Sequence, residues 1–227
     1  MIAVNFQRGV ELSVHALWLD PHGARPLAFI SHAHSDHIGR HAEVIATAAT
    51  AELMRARLGA KRIEHRMEFG ETREFHGLRV TLLPAGHILG SAQFFAEGES
   101  GSLLYTGDFK LRPGLSCEAT EWRHAETLIM ETTFGRPRYV MPPAAEGLVF
   151  PPGTQKSAVL DAIPKRRTAA LTDHADYPDL LRYVGFVQPR RVLTLHGFSA
   201  EFARDLRARG IEAWALNAEN QLEFKLV

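Results

Sequence analysis

The first part of the chain alternates short apolar, β-like runs with turns. Its spacing predicts strands over residues 12–19, 26–30 and 43–46. AATAELMRARLG (48–59) then places apolar residues at helical spacing among good helix formers, with Gly59 as a stop. Strands are predicted again over 63–69, 72–75 and 78–83, joined by FGE and HG turns. AQFFAEGESGSLLYTGD reads as a hairpin turning near 98–101. The second part alternates more regularly. Strands are predicted over 127–130, 168–171, 191–195 and 213–216. Helices are predicted over 155–163, 177–186 with Pro178 in the first turn, and 200–209 ended by Gly210. The Pro- and Gly-rich RPRYVMPPAAEGLVFPP between Phe134 and Gly153 reads as a connecting loop.

Composition changes this α/β picture little. With 227 residues, 45% of them hydrophobic and 23% charged, one domain over 1–227 is expected. Lys+Arg and Asp+Glu are 26 each, so no net charge draws the chain toward nucleic acid or an anionic membrane; any such attraction is local. Cys117 stands alone, which excludes an internal disulfide and fits a reducing compartment. MIAVNFQRGV lacks a signal-peptide pattern, and no apolar run approaches the ~18 residues of a membrane span. The expectation is a cytoplasmic enzyme without a membrane partner.

Candidate chemistry changes it more. SHAHSDHIGR puts His32, His34, Asp36 and His37 within six positions, directly after the apolar run 27–30. A core has no use for so many titratable groups. Imidazole plus carboxylate suits Zn²⁺ first, then Mn²⁺ or Fe²⁺, and four donors in one short loop exceed what one tetrahedral ion takes from it, hinting at two ions. His32, Asp108, Glu131, Asp173/His174 and His196 each follow an apolar β-like run, and strand ends can converge on one edge of a sheet. His87 lies in another such loop, PAGHILGSAQ. His15, His22, His41, His65, His76 and His124 read as plain surface or structural residues.

HAHSDH, GHILGSA, YTGDF and LHG, in that order, resemble the metallo-β-lactamase superfamily. ETTFG (131–135), LTDHADY (171–177) and LTLHG are similar to motifs A, B and C of its β-CASP nucleic-acid-processing branch. The stretch FKLRPGLSCEATEW looks most like the bacterial DNA-ligase-associated exonucleases, relatives of the mRNA 3′-end-processing endonuclease. The resemblance implies a four-layer αββα sandwich holding two divalent ions. His32, His34 and His87 would hold one and Asp36, His37 and His196 the other, with Asp108 bridging. Glu131 would orient His174, and His174 would protonate the leaving oxygen. Asp173 and Asp176 would have structural or supporting roles. The implied reaction is phosphodiester hydrolysis in RNA or single-stranded DNA, leaving a 3′-hydroxyl and a 5′-phosphate.

One departure bears on the substrate. The branch usually inserts a substrate-clamping lobe between motifs A and B, whereas Glu131 and His174 lie close in this sequence, so the connection over about 136–170 is expected to be shortened. A homodimer is one way to replace the clamp. Two rivals stay open: hydrolysis of a small ester, thioester or lactam on the same metals, and a non-catalytic scaffold for nucleic acid or a repair partner. Arg136 and Arg138 are better placed than Lys165-Arg166-Arg167 to meet phosphate, and no aromatic–basic interleaving of the kind that makes a single-strand platform stands out.

Overall fold

The central strands bury both of their faces, so material must cover them on each side. The computed structural model describes residues 1–114, 116–141 and 172–216. The helix expected over 155–163, the strand over 168–171, the 165–167 basic run and the connection beyond 141 lie outside the described residues. A first sheet runs in order through β1 (Asn5–Phe6), β2 (Val10–Leu12), β3 (Leu17–Leu19), β4 (Leu27–Phe29), β5 (Glu43–Thr47) and β6 (Ile63–Met67). A second contains β7 (Thr72–Phe75), β8 (Leu78–Pro84), β9 (Ala92–Gly98), β10 (Gly101–Tyr105), β11 (Thr127–Glu131), β12 (Arg191–Leu195) and β13 (Glu212–Ala215), also in chain order across the sheet.

Three apolar clusters define four layers. One lies between the sheets, where Leu19, Phe29 and Ile45 meet Leu82, Phe94, Leu103, Ile129 and Leu193. Ala28, Ile30 and Val44, on the opposite face of the first sheet, cover Met54 of α1 (Ala48–Leu58). Phe95, Leu104, Leu128 and Val192 face outward from the second sheet onto α2 (Tyr177–Val187) and α3 (Ser199–Ala208). Alternation along β4, β10 and β11 divides neighbours between these clusters, as a period of two requires. The architecture is α/β, an αββα sandwich.

Most expected elements form within a residue or two of their predicted ends. Thr47 caps α1 by accepting from Thr50 N at 3.2 Å, and Asp176 caps α2 by accepting from Asp179 N at 3.1 Å. The strand expected over 12–19 is instead β2, a 3-10 turn at Ser13–His15 and β3, paired antiparallel with β2. Leu12 and Leu17 are both fully buried in the inter-sheet core, but they are an odd number of positions apart. One continuous strand would point them to opposite faces, so the chain turns at Ala16, whose φ of 47° is left-handed.

Candidate metal centre

Strand direction gathers the candidate residues. β10, β11 and β12 are mutually parallel, and β8 runs the same way because it is antiparallel to β9, which is antiparallel to β10. Their C-terminal ends therefore share one edge, and from it emerge His87, Asp108, Glu131 and His196. The end of β4 in the facing sheet delivers residues 31–37 to the same place. Gly107 permits the close approach: its φ is 55°, and a Cβ there would lie 2.5 Å from the Ser31 Cβ.

Donor atoms of His32, His34, His87 and Asp108 all lie within 4.8 Å of one another. His34 Nδ1 is 2.9 Å from His32 Nε2 and 3.2 Å from His87 Nε2, and Asp108 Oδ2 is 3.6 Å from His32 Nε2. Hydrogen bonds on the outer nitrogens set the tautomers. The Ser31 hydroxyl donates to Asp20 Oδ2, so at 3.0 Å it accepts from His32 Nδ1–H. His87 Nδ1–H donates to the Asp173 carbonyl at 2.9 Å, and His37 Nδ1–H to Asp20 Oδ2 at 3.0 Å. His32 and His87 thus turn an Nε2 lone pair inward, as metal-bound histidines held by an outer partner do, while the Asp20 bond fixes the orientation of the His37 ring. Three converging imidazoles and a carboxylate fit a divalent cation.

The second expected set is looser. His37 Nε2 lies 3.4 Å from Asp108 Oδ2 and 3.9 Å from Asp36 Oδ2; the Asp36 side chain is 72% exposed, and the His196 ring centre is 6.1 Å from that of His37. His196 adopts a left-handed φ of 56°. Asp108 is the shared member, within 3.9 Å of His32, His37, His87 and His174.

Electrostatics separates the histidines. Burial and the neighbouring charge of His37 push His32 down to about 3, so it is neutral, the form a metal binds. Burial also lowers His37, but Asp20 and Asp108 outweigh it and raise the ring to about 11. Burial opposes ionisation of Asp108, yet His37 and the neighbouring imidazoles hold its carboxyl well below the usual range. Metal binding at His37 must therefore expel a proton. For His174, burial lowers the pKa while the Glu131 carboxylate, 2.8 Å from Nδ1, outweighs it and raises the ring to about 9. Glu131 is itself buried and accepts from the backbone N–H of Phe109 and Thr133, both at 3.2 Å.

Asp176 is structural: it caps α2, accepts from Met141 N at 2.8 Å and pairs with Arg112. Asp173 is half exposed, its carboxylate 3.8 Å from both His87 and His174. Asp20 escaped the sequence reading. It is buried and receives Ser31 N at 2.8 Å, the Ser31 hydroxyl, His37 Nδ1 and the Tyr105 hydroxyl at 2.9 Å. A signal existed: Asp20 follows the apolar run of β3 as Asp108 follows that of β10.

No family model matches the chain. A probable DNA ligase of Opitutus terrae is 41% identical over 97% of this chain and 32% of its own length. That alignment is 321 positions long, so the relative carries positions with no counterpart among these 227 residues. The 5′ exonuclease Apollo of Gallus gallus is 37% identical over 53% of this chain and 28% of its own length, and the protein artemis of the same organism 41% over 33% and 11%. The chain thus spans about a third or less of these relatives. Among solved structures, a variant of the β-hydroxylase CmlA superposes with a TM-score of 0.57 at 14% identity, over 84% of this chain and 43% of that one. CmlA itself, a diiron β-hydroxylase from Streptomyces venezuelae, gives 0.52 over 82% and 42%, also at 14% identity; such likeness concerns the fold alone. Sequence relatives and sandwich agree: the chain belongs to the metallo-β-lactamase superfamily, in its β-CASP-type nuclease branch.

Proposed function

We propose that this chain hydrolyses phosphodiester bonds in nucleic acid, with His32, His34 and His87 holding one divalent cation, His37, Asp36 and His196 a second, and Asp108 shared. Zinc is the first candidate for a set of imidazoles and carboxylates, with manganese and iron next. When bound, such ions supply Lewis acidity and lower the pKa of a water. The observation that carries the reading is the Glu131–His174 pair at the rim of the cluster. A lactam or thioester hydrolase of this fold has no need of a buried carboxylate holding a proton on a rim imidazole. A nuclease does, because the departing alkoxide must be protonated.

The residues divide the work. Glu131 accepts Nδ1–H and keeps His174 charged near neutral pH, so that Nε2 carries a transferable proton. Water adds to phosphorus and releases a proton, the bond to the 3′ oxygen breaks, that oxygen takes the Nε2 proton, and the proton released from the water restores His174. The products are a 3′-hydroxyl and a 5′-phosphate, the ends a DNA ligase seals, in keeping with the ligase relative.

The test is cleavage of end-labelled single-stranded DNA and RNA by metal-reconstituted protein, with Asp108→Ala alongside. Cleavage lost in the variant is expected. Turnover of an ester or lactam but of neither polymer nor an aryl phosphodiester overturns the reading.

A further inference from the structure

The sequence shows no evident aromatic–basic interleaving, but the fold assembles one from two loops. Phe134, Arg136, Arg138 and Tyr139 follow β11, and Phe198 follows the neighbouring parallel strand β12. The loops are tied together. Phe198 N donates to the Thr132 carbonyl at 2.9 Å, and the Thr132 hydroxyl lies 2.8 Å from the carbonyl oxygens of Leu195 and His196. Tyr177 N at the start of α2 donates to the Tyr139 carbonyl at 3.0 Å.

The rings form a row leading away from His174. The Phe134 ring centre lies 6.2 Å from that of His174, at 78°. Tyr139 follows at 5.2 Å from Phe134, and Phe198 stacks on Tyr139 at 5.4 Å and 26°. Two guanidinium groups accompany them, Arg136 4.0 Å from the Phe198 ring centre and Arg138 4.9 Å from that of Tyr139. Arg136 is also paired with Glu201, so much of its charge is spent locally. Arg138 is exposed, with one guanidinium nitrogen on the Tyr139 hydroxyl at 2.9 Å.

A small satellite core would explain rings that hold two loops together. It does not explain why all three rings stay partly exposed, or why an exposed arginine lies against them beside the proton donor. Single strands are held by this combination of π faces and positive charge.

We propose that Phe134, Tyr139 and Phe198, with Arg138, form a stacking subsite for an unpaired nucleobase next to the scissile phosphodiester, on its leaving-group side. The subsite rests on the nuclease reading for its substrate class. It makes the site select strand ends whose bases are free, because a base paired in a duplex cannot reach the rings.

The experiment measures binding, by fluorescence anisotropy, of a short labelled single-stranded oligodeoxynucleotide and of an abasic oligomer of equal length. The proteins are the full chain and its Tyr139→Leu and Arg138→Gln variants. The unaltered protein should prefer the base-bearing strand roughly ten-fold, the scale of one stacked base. Tyr139→Leu keeps apolar bulk but removes the π face, and should erase most of that preference. Arg138→Gln, at an exposed position, should weaken both oligomers and flatten the salt dependence. Equal affinity of the unaltered protein for the two oligomers overturns the subsite, as does failure to bind either. So does an undiminished preference in Tyr139→Leu. If that variant does not fold, the comparison of oligomers on the unaltered protein and Arg138→Gln decides. Cleavage assayed on the same samples separates the two ideas: preference without cleavage removes the nuclease and keeps the subsite, and cleavage without preference does the reverse.

Discussion

The inner and outer flanks of the candidate metal centre are built from similar residues in different ways. On the inner flank, Asp20 gathers Ser31, His37 and Tyr105 between the two sheets, and His32 is bonded in turn to Ser31. On the outer flank, Asp36 is largely exposed and Asp173 half exposed, and His174 is hydrogen-bonded through Nδ1 to Glu131 while its Nε2 has looser carboxylate neighbours, Asp108 at 3.9 Å and Asp173 at 3.8 Å. The inner flank is therefore preorganised by the protein, since each donor nitrogen has one orientation left. The outer flank keeps freedom that a cation or substrate must remove. Preorganised groups favour tight metal binding, and freer groups suit substrate entry and proton transfer.

The largest expected effect tests the shared member. Asp108→Ala should lower phosphodiester cleavage roughly a thousand-fold or more, with metal content by elemental analysis falling in parallel. Cleavage that survives would mean the two flanks do not meet at Asp108. Next, His174→Ala should cost about 10²–10⁴-fold in kcat while oligonucleotide affinity persists. Its pH dependence sharpens the point. Since Glu131 raises His174 to about 9, activity should fall as pH rises through that region, and Glu131→Gln should move the alkaline limb to lower pH. A limb that stays put would assign it elsewhere.

Stability should split the flanks as well. Asp20→Ala strands buried donors from Ser31, His37 and Tyr105 and should cost ~3 kcal/mol in urea unfolding, whereas Asp36→Ala should stay within about 0.5 kcal/mol. Burial works against the Asp20 carboxylate, but His37 outweighs it and lowers its pKa from 3.8. The contribution is thus complete above that value and fades as pH falls through the folded one. Equal losses in the two variants would erase the distinction. The last expected effect is remote from both flanks. Tyr183→Phe removes a buried hydroxyl donated to Gln93 and should cost ~1 kcal/mol with cleavage unaltered.

Chemistry that is local in the chain was legible in the sequence. The His32–His37 loop, His87, Asp108, Glu131 and His174 stand out because unusual side chains follow apolar runs, and such runs predict most of the strands behind them. The break at Ala16 was legible too in principle, since Leu12 and Leu17 cannot share a face of one strand. Asp20 was passed over because an aspartate after a strand is ordinarily a turn residue. Its significance lies in partners 11, 17 and 85 positions away.

The sequence alone thus marked the candidate donors, because residue type and local spacing single them out, and its family resemblance proposed the pairing of Glu131 with His174. Tertiary structure decided which nitrogen of each histidine faces the centre, which aspartate braces it, and that three rings from two loops lie beside His174. Those properties depend on how parallel strands and facing sheets bring distant residues together, and no local pattern encodes that distance.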